Sequence, residues 1–200
     1  MTTAPAQKTG YHHGDLRQQL IAATRLLVEE KGPDGVSVSQ ACRAAGVSTA
    51  APYKHFADRA DLMREVACTG FDEMRESFEA ARDAHPPASV EAIAAIGTAY
   101  VAYAEANPGL FRMMFASVEK TDKMEERGWG CYGVVLNEVA RFLGHADVDE
   151  VVERTTFPLW AFVHGIAFLR IDGKAEDEKL GVPVGDIVLG ATRRLLAGGG

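Results

Sequence analysis

One short stretch concentrates side chains suited to touching a polyanion: Ser48, Thr49, Tyr53, Lys54 and His55, with Ser39 before them and Arg59 after. A phenol, an ammonium and a hydroxyl each reach phosphate oxygens, so Tyr53, Lys54 and Ser48 are the expected backbone contacts, which fix orientation without reading sequence. Base edges need other groups. Thr49 and Ala50 carry methyls that pack on the methyl of thymine, and the hydroxyls of Thr49 and Ser39 donate to or accept from a base. His55 and Arg59 flank the set and are placed to touch the backbone on either side. Phe56 is left out because its ring is expected to lock a small core, and Arg43 is read as a solvated charge. The chemistry is that of contact with double-stranded DNA.

Such a set works only if the backbone holds it on one face, and the surrounding residues supply the means. Ser37 followed by Gln40 has capping-box form and starts a short helix. Val38, Ala41 and Ala45 give that helix one small apolar face, and Gly46 can take the left-handed conformation that ends it. Val47 anchors the turn. Ser48 is a suitable N-cap for a second helix, with Ala51 and Phe56 turned inward. A third helix must stand behind this pair. It is predicted from Asp15, as N-cap, to Lys31, with Leu16, Leu20, Ala23 and Leu27 on one face and Gly32 as its stop. Two short helices crossing closely through alanines form the helix-turn-helix plan for entering a major groove. Residues 1–10 read as a flexible arm, 11–57 as the DNA-binding domain and 58–200 as a ligand-binding and dimerisation domain.

The rest of the chain carries a second inventory. Tyr100, Tyr103, Phe111, Met114, Phe115, Trp129, Trp160 and His164 are aromatic, thioether or imidazole groups suited to a mostly apolar pocket. Aromatic residues at helical spacing also build ordinary cores, and His164 can bond a ligand or a backbone carbonyl. These residues sit on predicted helices. One opens at Asp58 and Asp61 and runs towards Ala84 with Leu62, Val66, Phe71 and Met74 inward. The period resumes through Ile93, Ile96, Tyr100 and Tyr103, breaks at Pro108 and Gly109, and returns from Trp129 to Leu143 despite the glycines of GWGCYG. A helix capped by Asp147 or Asp149 continues to about Asp172 through Pro158, and DGKAEDEKLG is read as a polar loop. The last helix follows Pro183. The helix before Asp172 is apolar nearly all round, so one side is expected in its own bundle and the other against a partner. The dimer seam is accordingly assigned to Val152, Leu159, Phe162 and Ile166 with Ile187, Val188, Ala191 and Leu195. No strand pattern occurs, and the fold class is all-α.

A formal charge of −7 runs against DNA binding until the chain is divided. Residues 1–64 carry eight Lys or Arg against six Asp or Glu, whereas the remainder carries 13 against 22, so nucleic-acid contact is confined to the N-terminal end. Cys42, Cys68 and Cys131 lack metal-like spacing and read as reduced thiols. No apolar run is long enough to span a membrane and no signal-peptide pattern opens the sequence, which together give a cytoplasmic expectation. His12 and His13 are helix neighbours that diverge, so no metal site is expected there. His164 has no neighbouring Asp, Ser or Cys in a catalytic pattern, and no phosphate loop is visible. No cofactor and no enzyme activity are expected. The rival readings are a helical dimer that binds another protein through the same motif, and an enzyme using His164.

These residues resemble the TetR family of bacterial transcriptional regulators. GVSTAAPYKHFADRADLM, from Gly46 to Met63, is similar to that family's turn, recognition helix and following helix, and YHHGDLR, from Tyr11 to Arg17, is similar to its opening. Trp160, His164 and Gly165 look like the Trp-His-Gly mark of one branch's regulatory domain. The resemblance implies a homodimer on a palindromic operator, with a C-terminal helical domain holding a small-molecule pocket and the dimer interface. The expected function is a ligand-responsive transcriptional regulator, a repressor released by a small apolar or aromatic effector. Pro52 stands where leucine is frequent in the family. Proline costs roughly 3 kcal/mol in a helix interior and much less in the first turn.

Overall fold

The computed structural model describes residues 13–116 and 121–198; the proposed N-terminal arm, Tyr11 and His12 lie outside them. The described residues form helices joined by turns, without strands. They fall into two compact units that divide between Val66 and Ala67, inside the helix that begins at Arg59.

In the N-terminal unit, α1 (His13–Lys31) buries Leu16, Leu20, Ile21, Ala23, Leu27 and Val28 along one side. Asp15, read from the sequence as the N-cap, lies within the span of this helix. Gly32 ends the helix with φ +72°. The capping box of α2 (Val38–Ala44) is complete: the Gln40 N–H donates to Ser37 Oγ at 3.2 Å and the Ser37 N–H to Gln40 Oε1 at 2.8 Å. Gly46, at φ +68°, makes the turn, closed by the Val47 N–H donating to the Cys42 carbonyl at 2.9 Å.

The segment after that turn departs from expectation. A continuous helix from Ser48 would make its first backbone bond from residue 52 to the Ser48 carbonyl, and Pro52 has no N–H to give. The chain closes a tighter turn instead, with the Ala51 N–H donating to the Ser48 carbonyl at 3.1 Å. A single 3₁₀ turn follows over Pro52–Lys54, and Phe56, 3% exposed, is buried as predicted. Arg17 stacks its guanidinium 5.5 Å from the Phe56 ring centre and pairs with Glu65. α3 (Arg59–Asp83) starts where the Asp61 N–H donates to Asp58 Oδ1 at 2.7 Å.

The C-terminal unit takes the remainder of α3, then α4 (Val90–Ala106), α5 (Pro108–Phe115), α6 (Asp122–Leu143), α7 (Glu150–Ile171), α8 (Asp177–Leu180) and α9 (Val184–Ala197). α4 is the central helix, packed on α5, α6, α7 and α9. Its close fit depends on Gly97, where an added Cβ would lie 3.0 Å from a methyl of Val163 on α7 and 3.0 Å from one of Val188 on α9. Ile93, Val139, Ala140, Val152, Leu159 and Leu196 form a joint core of α4, α6, α7 and α9. The glycines of GWGCYG lie inside α6 without ending it, and α7 runs on through Pro158. The polar loop after α7 contains the one-turn helix α8, which the sequence reading did not anticipate.

The packing corrects part of the proposed dimer seam. Val152, Leu159 and Val188 are buried within a single copy, and Leu195 packs against the same core, so they offer little surface to a second chain. Their periodicity marks the inner stripe of α7 and α9. Phe162, Ile166, Ile187 and Ala191 remain partly exposed, and Phe162, Ile187 and Ala191 line a shallow surface groove.

Candidate functional site

Two places carry the proposed chemistry, one in each unit. On the N-terminal unit, Ser39, Ser48, Thr49, Ala50, Tyr53 and Lys54 are exposed, with Tyr53 at 65%. An aromatic ring left that far in solvent beside a lysine is not serving its own core. His55 is half-buried, and its Nε2 is buried without a hydrogen-bond partner among the described residues. Only the other edge of its ring is available to DNA. Arg59 leaves the set. Its Nε donates to the Val36 carbonyl at 2.7 Å and its guanidinium also holds the Pro33 carbonyl, so it fastens the α1–α2 connection to the start of α3.

In the C-terminal unit a cavity of about 480 Å³ opens among α3, α4, α5, α6, α7 and α9. Of the residues proposed from sequence, Tyr100, Met114, Phe115, Trp129 and Trp160 line it. Tyr103, Phe111 and His164 are not among the lining residues. Phe111 is fully buried behind the wall, edge-on to Tyr100 with ring centres 5.4 Å apart, and the Tyr103 hydroxyl donates to Glu73 at 3.3 Å. Phe71, Phe78, Cys131, Tyr132 and Phe157 join the lining. Two of these, Phe71 and Phe78, lie on the inward stripe of α3, where periodicity alone does not separate cavity from core.

His164 acts on the cavity from one layer behind. Its Nδ1 lies 2.6 Å from the Tyr100 hydroxyl, and the Trp160 indole N–H donates to that same oxygen. Trp160 and His164, one turn apart on α7, thus hold one phenol between them. Burial raises the Tyr100 pKa, an effect the Trp160 hydrogen bond only partly offsets, and burial lowers that of His164. The phenol and the neutral imidazole share this hydrogen bond. Burial likewise pushes the Cys131 thiol up to about 12, so it is protonated and unreactive, and it donates to the Phe71 carbonyl at 3.1 Å.

The low pKa of His164 has a testable sign. The unfolded imidazole binds a proton more readily than the folded one, so the stability held above the ordinary histidine pKa, about 6.5, is lost as pH falls below it towards the folded value. Chemical denaturation across that range is expected to show the decline in the native protein and a shallower one in His164→Asn.

A family model described as "Bacterial regulatory proteins, tetR family" matches residues 20–66, and another described as "Tetracyclin repressor-like, C-terminal domain" matches residues 93–195. The protein belongs to the TetR family. No curated protein sequence matches the chain. Among solved structures, a protein of unknown function from Rhodococcus sp. RHA1 is 31% identical, with 96% of this chain and 98% of that chain covered and a TM-score of 0.79. A TetR-family transcriptional regulator from Streptomyces coelicolor shares the fold at 16% identity, covering 94% and 80% of the two chains, with a TM-score of 0.72. The transcriptional regulator FadR from Bacillus subtilis, solved in complex with stearoyl-CoA, shares it at 14% identity over 90% and 95%, with a TM-score of 0.64. This TetR-family member is therefore a DNA-binding transcriptional regulator and not an enzyme. None of the matched descriptions refers to a Trp-His-Gly mark. Among its described residues no helix is long and apolar enough to cross a membrane.

Proposed function

We propose that this regulator is a ligand-released repressor that binds a two-fold symmetric operator as a homodimer. The observation that carries the DNA half is the exposed group of Ser48, Thr49, Ala50, Tyr53 and Lys54 on the turn after α2, with Ser39 on α2 itself. Tyr53, Lys54 and Ser48 contact phosphates, while Thr49, Ala50 and Ser39 meet base edges. So few base-reading groups give modest discrimination per half-site, and a second copy one or more helical turns away supplies the rest. The dimer forms on the outer faces of α7 and α9, where Phe162, Ile166, Ile187 and Ala191 retain exposed surface. The effector occupies the cavity of the C-terminal unit. It acts by binding better to a conformation in which the paired reading turns are wrongly spaced, drawing population away from DNA. α3, which belongs to both units, is the covalent route for that coupling.

Sequencing genomic fragments retained by the pure protein is expected to return an inverted repeat, and a non-repetitive or absent site would sink the proposal. On that site Lys54→Ala is expected to weaken binding to all sequences about equally and to reduce the salt slope by about 1 per half-site, whereas Thr49→Ala alters preference at one base position. Titrations at two salt concentrations decide this. Unchanged salt dependence in Lys54→Ala removes the lysine from the phosphate contacts.

A further inference from the structure

Formal charge on the described cavity wall has one sign. Among the described residues Glu125 is the one charged residue in the lining, and it is exposed at the rim, one turn before Trp129 on α6. Arginines nearby are committed to carboxylates: Arg127 pairs with Asp72, and Arg75 with Glu79 at 3.8 Å. Deeper in, the Tyr100 hydroxyl is engaged by His164 and by the Trp160 indole N–H. The Cys131 thiol spends its proton on the Phe71 carbonyl.

A chain of π faces stands along the same wall. Ring centres run from Trp129 to Tyr132 at 6.0 Å, from Tyr132 to Trp160 at 5.8 Å, and from Trp160 to Phe157 at 6.0 Å. Aromatic faces attract cations and repel anions, and a carboxylate or phosphate entering this wall would lose its hydration, while no described lining residue carries a positive charge to replace it. We infer that the cavity takes a lipophilic organic cation, an amine whose ammonium group lies at the Glu125 end against the aromatic faces, and that it discriminates against carboxylates and phosphates of similar size. This rests on the reading of the cavity as the effector site. It also separates this chain from a structural neighbour such as FadR, whose solved complex holds stearoyl-CoA.

The test is calorimetric titration of the full chain with phenylbutylamine, phenylbutanol and phenylbutanoate at neutral pH, where the amine and the acid are both ionised. The amine is expected to bind roughly tenfold tighter than the alcohol, and the carboxylate more weakly than either. Glu125→Gln, at an exposed position that carries no packing, is expected to narrow the gap between amine and alcohol while leaving the alcohol unchanged. Carboxylate binding as tight as that of the amine overturns the inference, and so does failure of all three to bind. The regulatory reading is scored separately by operator mobility shift with each compound. Tight amine binding without release of DNA leaves the ligand class standing and removes the coupling.

Discussion

Phe111→Ala is expected to lower the stability of the C-terminal unit by about 3–5 kcal/mol, the usual cost of deleting a fully buried phenylalanine. The ring is 0% exposed and sits among Tyr100, Phe115 and Phe168, at centre separations of 5.4, 4.8 and 5.5 Å, on a helix of only eight residues. α5 is too short to hold itself, so its place depends on Phe111 and on the buried Leu110, Met113 and Met114. Tyr100 and Phe115 form the cavity wall with Phe111 behind them, and truncation leaves both without support. Thermal unfolding followed by circular dichroism is expected to show a midpoint lower by about 10 °C, with Phe111→Leu recovering most of it. A shift of only a degree or two means that α5 does not anchor the wall.

Glu138→Ala is the second large effect, expected to cost about 2–3 kcal/mol. Its carboxylate is fully buried on α6, where Oε1 accepts the Ala88 N–H at 2.6 Å and Oε2 accepts from Arg141 at 3.3 Å. Ala88 sits at φ +58°, the one described non-glycine residue in the left-handed region, in the turn between α3 and α4. The Glu138 hydrogen bond thus holds a strained backbone that delivers Ser89 to cap α4, where Ser89 Oγ accepts the Ala92 N–H at 3.0 Å. Arg141 is 57% exposed and keeps its hydration, so the pair is worth less than a fully buried one. Glu138→Gln keeps an acceptor for Ala88 and is expected to lose about half as much by denaturant titration. Equal losses in the two variants place the effect in the ion pair rather than in the backbone bond.

What was legible in the sequence was mostly local. The capping box of Ser37 and Gln40 and the Gly46 turn need only a few neighbouring residues, and both stand as read. Pro52 was visible too, but its consequence depends on one specific bond, the donation to the Ser48 carbonyl that proline cannot make. Faces were harder. α7 is apolar on more than one side, and periodicity gives its stripes without saying which turns inward, so Val152 and Leu159 were assigned to a partner when their own core holds them. The cavity raised the same difficulty, because Phe71, Phe78 and Phe111 have one chemistry whether they line a space or back it. Trp160 and His164 were both named for the pocket, but the phenol they grip is 64 residues from His164, and no spacing rule reaches that far.

The two tryptophans give the regulator a built-in optical reporter. The chain has no others, and both stand on the cavity wall, Trp129 at 66% exposure and Trp160 deeper, with its indole N–H on Tyr100. Indole emission moves to shorter wavelength as water is excluded, so the ultraviolet-excited spectrum of the whole protein is a red component from the rim and a blue one from the interior of a single site. A molecule entering that site dries the first and perturbs the second without any label, while events at the DNA-facing turn, which carries tyrosine but no tryptophan, leave the tryptophan signal free of direct contact.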